Sequence, residues 1–89
     1  MVAVKRVVLD VLKPHSPDIH ALARTVAEQG AGWRVRITVD EVDEKTESVV
    51  VTVEGDDVVL DRVVEAIGSL GGSVHSIDEV EVSGTARPD

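Results

Sequence analysis

Hydrophobic and polar residues alternate along four segments of the chain, and this alternation predicts four β-strands. The segments are residues 4–12, 33–42, 47–54 and 74–82. In the first segment Val7, Leu9 and Val11 share one face, and the residues between them share the other. The alternation is less regular in residues 74–82, which predicts a β-bulge in the last strand.

A segment with helical spacing follows the first strand. Pro14 and Pro17, in the segment Lys13–Pro17, predict the end of that strand, because proline has no N–H to donate to a sheet ladder. Ser16 is the predicted N-cap, with Pro17 as the first helical residue, and Gly30 marks the end. The apolar stripe that the helix is expected to bury consists of Ile19, Leu22, Ala23, Val26 and Ala27.

A second helical segment lies between the third and fourth strands. Asp57 is its predicted N-cap, and Gly71 and Gly72 mark its end. Its β-branched residues lower its intrinsic helix propensity, so we expect it to depend on tertiary packing. Its apolar stripe is formed by Leu60, Val63, Ile67 and Leu70.

The order of these elements predicts one α+β domain of the ferredoxin-like type, β-α-β-β-α-β. Right-handed crossovers give a four-stranded antiparallel sheet of order 4-1-3-2, with both helices on one face. The domain is expected over residues 1–82, and residues 83–89 are expected to form a flexible C-terminal tail. The sheet face without helices mixes apolar and charged residues, which favours contact with a second copy or another partner.

Composition narrows the possible functions. Seventeen Asp and Glu face nine Lys and Arg, for a net charge of −8, so a nucleic-acid or anionic-membrane partner is not expected. The chain has no cysteine and so no thiolate chemistry. Trp33 is its only aromatic residue, too few for the stacking surface of an RNA-recognition motif. It contains no long apolar run or signal-peptide core, and a cytoplasmic location is expected.

The histidines suggest a divalent-metal site. The predicted topology places His15, His75 and the acidic turn at residues 43–47 at the same end of the domain. Imidazole and carboxylate groups together suit a divalent ion. Two alternatives need no metal: His15 caps a proline-rich turn, and His75 bonds a backbone group.

Asp10 is a charged residue in the middle of an apolar strand. It is expected on the open face, beside the fourth strand. There Asp78 and Glu79 could join it around a cation, while a salt bridge to Arg6 or Arg36 is the simpler alternative. The candidate metal ligands are therefore Asp10, His15, His75, Asp78 and Glu79.

Several segments resemble the archaeal domain-of-unknown-function family 211. They are residues 8–15 (VLDVLKPH), 37–43 (ITVDEVD), 53–55 (VEG) and 74–80 (VHSIDEV), and the likeness extends over residues 4–82. The resemblance implies a ferredoxin-like fold, an archaeal origin and ring-like or otherwise symmetric homo-oligomers, and it implies no activity. The chain departs from the family pattern at Val59, where an acidic helix cap is expected.

Two functional hypotheses follow. The first is a non-enzymatic module that self-associates and binds a small ligand or ion at subunit interfaces. The alternative is a divalent-metal-binding protein that uses His15, His75 and nearby carboxylates. No Ser-His-Asp or Cys-His set occurs at a recognisable spacing, so an enzyme is not expected and no organic cofactor is implied.

Overall fold

The computed structural model describes residues 2–84 and confirms the predicted element order and sheet. All neighbouring strands are antiparallel, in the order β2-β3-β1-β4, and both helices lie on one face. This is the ferredoxin-like α+β arrangement. The elements are β1 (Val2–Pro14), α1 (Ile19–Ala27), β2 (Arg34–Val42), β3 (Thr46–Glu54), α2 (Leu60–Ser69) and β4 (Ser73–Gly84).

The core lies between the helices and one face of the sheet. Val7, Leu9 and Val11 are buried on this face, as their alternation predicts. The same holds for the β3 residues at positions 49, 51 and 53. The helices and loops contribute Leu22, Val26, Trp33, Val58, Val63, Ala66 and Ile67.

β1 is longer at its C-terminal end than the prolines predict. Pro14 pairs with Thr46 of β3, so the expected break at Lys13–Pro17 is wrong by two residues. The reason is that β4 accompanies β1 only as far as Leu12. Beyond that point β1 is an edge strand, where a residue without an N–H is tolerated.

Both helices begin later than predicted. Asp18, not Ser16, caps α1, and its Oδ1 accepts a hydrogen bond from the Ala21 N–H at 2.9 Å. α2 begins at Leu60, and neither Asp57 nor any other side chain caps it. Val58 is buried and its N–H donates to the Val4 carbonyl at 2.8 Å, so this segment is bound to β1 before the helix starts.

The pairing of β4 with β1 contains the predicted irregularities. Register shifts leave His75 and Asp78 as extra residues on β4, and Lys5 as an extra residue on β1. β4 also continues to Gly84, where it pairs with Val2. The rest of the predicted tail, residues 85–89, lies outside the described residues.

Candidate functional site

His15 lies where the topology predicts, against the turn between β2 and β3. Its Nε2 is 2.9 Å from the carbonyl oxygen of Asp43 and 3.1 Å from that of Glu44. The ring nitrogen therefore meets backbone oxygens and no carboxylate. His15 therefore needs no metal to hold it, but its contact is with the β2–β3 turn and not with the proline-rich turn that the alternative named.

Asp10 and His75 form the one close pair among the predicted metal ligands. Nδ1 of His75 is 3.3 Å from Oδ2 of Asp10, across the β1–β4 ladder. His75 is the extra residue of a bulge, a feature that re-aims side chains. The pair borders a groove of about 260 Å³, which Leu12 and Ser48 also line. The predicted partners of Asp10, Arg6 and Arg36, are not its partners here.

Asp78 and Glu79 are engaged elsewhere. Asp78 Oδ1 accepts a hydrogen bond from the Ser76 hydroxyl at 2.8 Å. Glu79 accepts one from Nε of Arg6 at 2.6 Å. Across residues 2–84 no three His, Asp or Glu side chains are grouped as a metal site would require. A single copy therefore offers two adjacent ligands, Asp10 and His75.

A chain of ion pairs crosses the open face of the sheet. Arg6 bridges Glu79 on β4 and Glu54 on β3, and its Nη1 lies 2.9 Å from the Glu54 carboxylate. Arg34 on β2 approaches the other oxygen of Glu54 at 3.5 Å. The hydrogen bonds to Glu79 and Glu54 raise the pKa of Arg6. Alternation along the sequence does not predict these ion pairs, because they depend on which residues face one another across the strands.

Beside these ion pairs lies an open cleft of about 510 Å³. Lys5 lines it and donates to the Asp56 carbonyl at 2.9 Å. Its lining contains both basic and acidic side chains, so its charge does not select anions or cations. The lining residues are Lys5, Gly32, Arg34, Glu54, Gly55, Asp56 and Glu81.

The sheet has two free edges, β2 and β4. β4 is twelve residues long, and Ile77, Val80 and Val82 on it are 50%, 51% and 51% exposed. On β2, Val39 and Val42 are exposed as well. Unpaired N–H and C=O groups beside exposed apolar side chains favour strand pairing with another chain.

Comparison with known proteins gives the chain its family. A family model described as "Uncharacterized ArCR", domain of unknown function 211, matches residues 5–86. The chain belongs to this family. An uncharacterized protein of Methanocaldococcus jannaschii, an archaeon, is 48% identical over 80 residues, which are 90% of this chain and 82% of that protein. The resemblance noted in the sequence is confirmed.

The description of family 211 names no activity. Within residues 2–84, neither helix is long and apolar enough to cross a membrane.

Proposed function

We propose that this family 211 protein is a non-enzymatic module that self-associates through the edges of its sheet. The observation that carries the proposal is the free edge of β4. It is twelve residues long, contains no proline or lysine, and exposes about half of Ile77, Val80 and Val82. Proline, lysine and β-bulges are devices by which monomeric proteins protect such edges. β4 has only the bulges, at His75 and Asp78, and no extra residue interrupts it from Glu79 to Gly84.

Small size also supports self-association. A chain of 9.5 kDa buries a smaller fraction of its surface than a larger domain does. Covering the β4 edge with another copy would bury apolar side chains that a single copy leaves half exposed, and would satisfy backbone groups at the same time.

The arrangement of the Asp10–His75 pair supports a non-enzymatic role. Ser48 lines the same groove, so the three residue types of a hydrolytic triad are present. A triad needs the imidazole between the hydroxyl and the carboxylate. Here Asp10 is on the central strand β1, with Ser48 on β3 to one side and His75 on β4 to the other. The order is therefore wrong for activating the serine.

Light scattering coupled to gel filtration tests the proposal. We expect a mass that is a multiple of 9.5 kDa. Ile77→Lys should lower that mass, because it places a charge among the apolar side chains of the β4 edge. His20→Lys, an exposed change on α1, is the matched control and should leave the mass unaltered. A wild-type mass of one chain at both low and high salt would remove the proposal.

A second candidate function is an interfacial metal site, and the 3.3 Å approach of His75 to Asp10 favours it. Two ligands from one copy leave positions that a neighbouring copy or water would fill. We expect calorimetric titration with Zn²⁺ or Ni²⁺ to give heat that His75→Ala abolishes. His15→Ala should leave the heat unchanged, because His15 is bound to the β2–β3 turn. No heat above buffer with Zn²⁺, Ni²⁺, Mn²⁺, Ca²⁺ or Mg²⁺ would exclude this function.

A further inference from the structure

Asp10 is a carboxylate on an inner strand of the sheet, and only 31% of its side chain is exposed. Both residues that pair with it directly, Val50 on β3 and Ser76 on β4, are uncharged. Within residues 2–84 no lysine or arginine forms an ion pair with it, and its charged-group contact is with the His75 imidazole. Removing a carboxylate from water without a counter-charge is unfavourable, so a cation from outside the chain would stabilise Asp10.

The groove beside Asp10 suits a short hydrocarbon chain. Its volume of about 260 Å³ is slightly below the range of about 300–1,000 Å³ that is typical for drug-sized ligands, so a smaller molecule fits. Val11 and Leu12 belong to its lining, and Leu12 is 43% exposed, so apolar surface is available for contact. The lining also includes Ser48 and contains no lysine or arginine that would repel a cation.

The strand register brings a carboxylate, a hydroxyl and an apolar side chain together on the open face. Leu12 pairs directly with Ser48, and Asp10 with Val50. Directly paired residues of antiparallel strands project from the same face, and so do residues two apart in one strand. Ser48 is therefore a diagonal neighbour of Asp10, at a Cα separation of about 7–8 Å. A donor group located between these two side chains has an oxygen acceptor on each side.

A primary ammonium ion matches this lining better than a metal ion does. It carries three N–H donors and no acceptor, and the methylene groups attached to it can lie on apolar surface while the charged end stays in water. A divalent metal ion takes about four to eight ligands, whereas a single copy offers Asp10 and His75. A metal ion would also leave the apolar part of the groove without a contact.

We propose that this groove binds a small alkylamine in its protonated form. The ammonium group donates to the Asp10 carboxylate and to the Ser48 hydroxyl, and the alkyl chain lies against Val11 and Leu12. His75 borders the ammonium group, and at about pH 8 an ordinary imidazole is neutral and adds no opposing charge. An alkylamine, like the lysine side chain, stays protonated at this pH. The inference does not depend on self-association, and it gives Asp10 a ligand other than a divalent ion.

Calorimetric titration with n-butylamine hydrochloride at about pH 8 tests the site. Asp10→Asn keeps the shape of the side chain and removes its charge, so we expect the dissociation constant to rise about tenfold or more. Glu65→Gln, at an exposed position of α2 on the helix side of the sheet, makes the same change in net charge and should bind as wild type does. We expect n-butanol, which has the same chain without the charge, to bind at least about tenfold more weakly, and butyrate to give no heat.

A second variant tests the apolar contact. Leu12→Ala, at a half-exposed position, should weaken n-hexylamine more than ethylamine, because it removes surface that only the longer chain reaches. Equal effects on the two amines would place the alkyl chain outside the groove and overturn the proposal. This comparison needs no Asp10 variant, so it stays decisive even if Asp10→Asn fails to fold.

The remaining outcomes separate the amine site from its alternatives. Equal weakening by Asp10→Asn and Glu65→Gln would show general attraction by the net charge of −8 and overturn the proposal. Heat with Zn²⁺ and none with n-butylamine would assign Asp10 and His75 to a metal ion instead. No heat with either overturns the amine site, while light scattering on the same sample shows whether the proposed self-association stands.

Discussion

Replacing Glu47 by alanine should lower the free energy of unfolding by about 3–5 kcal/mol, the usual cost of leaving one member of a buried ion pair without its partner. Lys13 is 2% exposed, and its Nζ lies 2.7 Å from the Glu47 carboxylate. The side chain of Glu47 is itself only 13% exposed. After the substitution the ammonium group retains only the Pro14 carbonyl, at 2.8 Å. Urea unfolding followed by circular dichroism gives the change.

A double variant separates the pair from its burial. Lys13→Met with Glu47→Leu replaces both charges by apolar side chains of similar length. Such replacements of buried ion pairs are often neutral or stabilising, so we expect stability within about 1 kcal/mol of wild type, or above it. If Glu47→Ala alone cost less than about 1 kcal/mol, the value typical of an exposed pair, the Lys13 ammonium would have to reach water.

The sequence contained the signal for this pair. Lys13 continues the inward series of Val7, Leu9 and Val11, and Glu47 precedes the inward series of β3 by the same two-residue step. Opposite charges at inward positions of neighbouring strands predict a buried pair. The assumption that the prolines end β1 at Leu12 obscured the signal, because it placed Lys13 in a loop.

The alternation along the strands and the apolar stripes of the two helices were together sufficient to predict the fold. Alternation is a strong signal because a one-residue error in a strand would move a whole apolar set to solvent. The helix starts were less predictable. Ser16-Pro17-Asp18 offers two capping residues in three positions, and the local pattern does not rank them. For α2, the deciding contact is the hydrogen bond from Val58 to Val4, residues 54 positions apart in the chain.

The candidate site depended on information that alternation does not carry. His75 meets Asp10 because a bulge adds one residue to β4 at that point. Without the extra residue, side chains in this part of β4 would face the opposite side of the sheet. Likewise, only the register reveals that Glu54 pairs directly with both Arg34 and Arg6. The sequence predicted which residues carry charge, and the strand pairing determines which of them face one another.

Replacing Gly30 by alanine should destabilise the protein by about 3 kcal/mol, the upper part of the range for an overpacked core. A Cβ at this position would lie inside the van der Waals surface of the Trp33 indole. The ring has little room to move away, because Gly55 also lies close to it. A Cβ added to Gly55 would be only 2.8 Å from Cδ1 of Trp33. The indole N–H also donates to the Asp57 carbonyl at 3.1 Å. We expect a lower thermal midpoint and a red shift of the fluorescence of Trp33, as the indole becomes exposed to water.

Gly68 is the matched control. It lies inside α2, and a Cβ added there would have no neighbouring atom within 4 Å, so Gly68→Ala adds the same methyl group without a clash. Alanine has the higher helix propensity, and this variant should gain about 0.5–1 kcal/mol with its fluorescence maximum unchanged. An equal response of the two variants would show that the Gly30 effect is not steric. A stable Gly30→Ala protein with a buried indole would mean that Trp33 has a second position in the core.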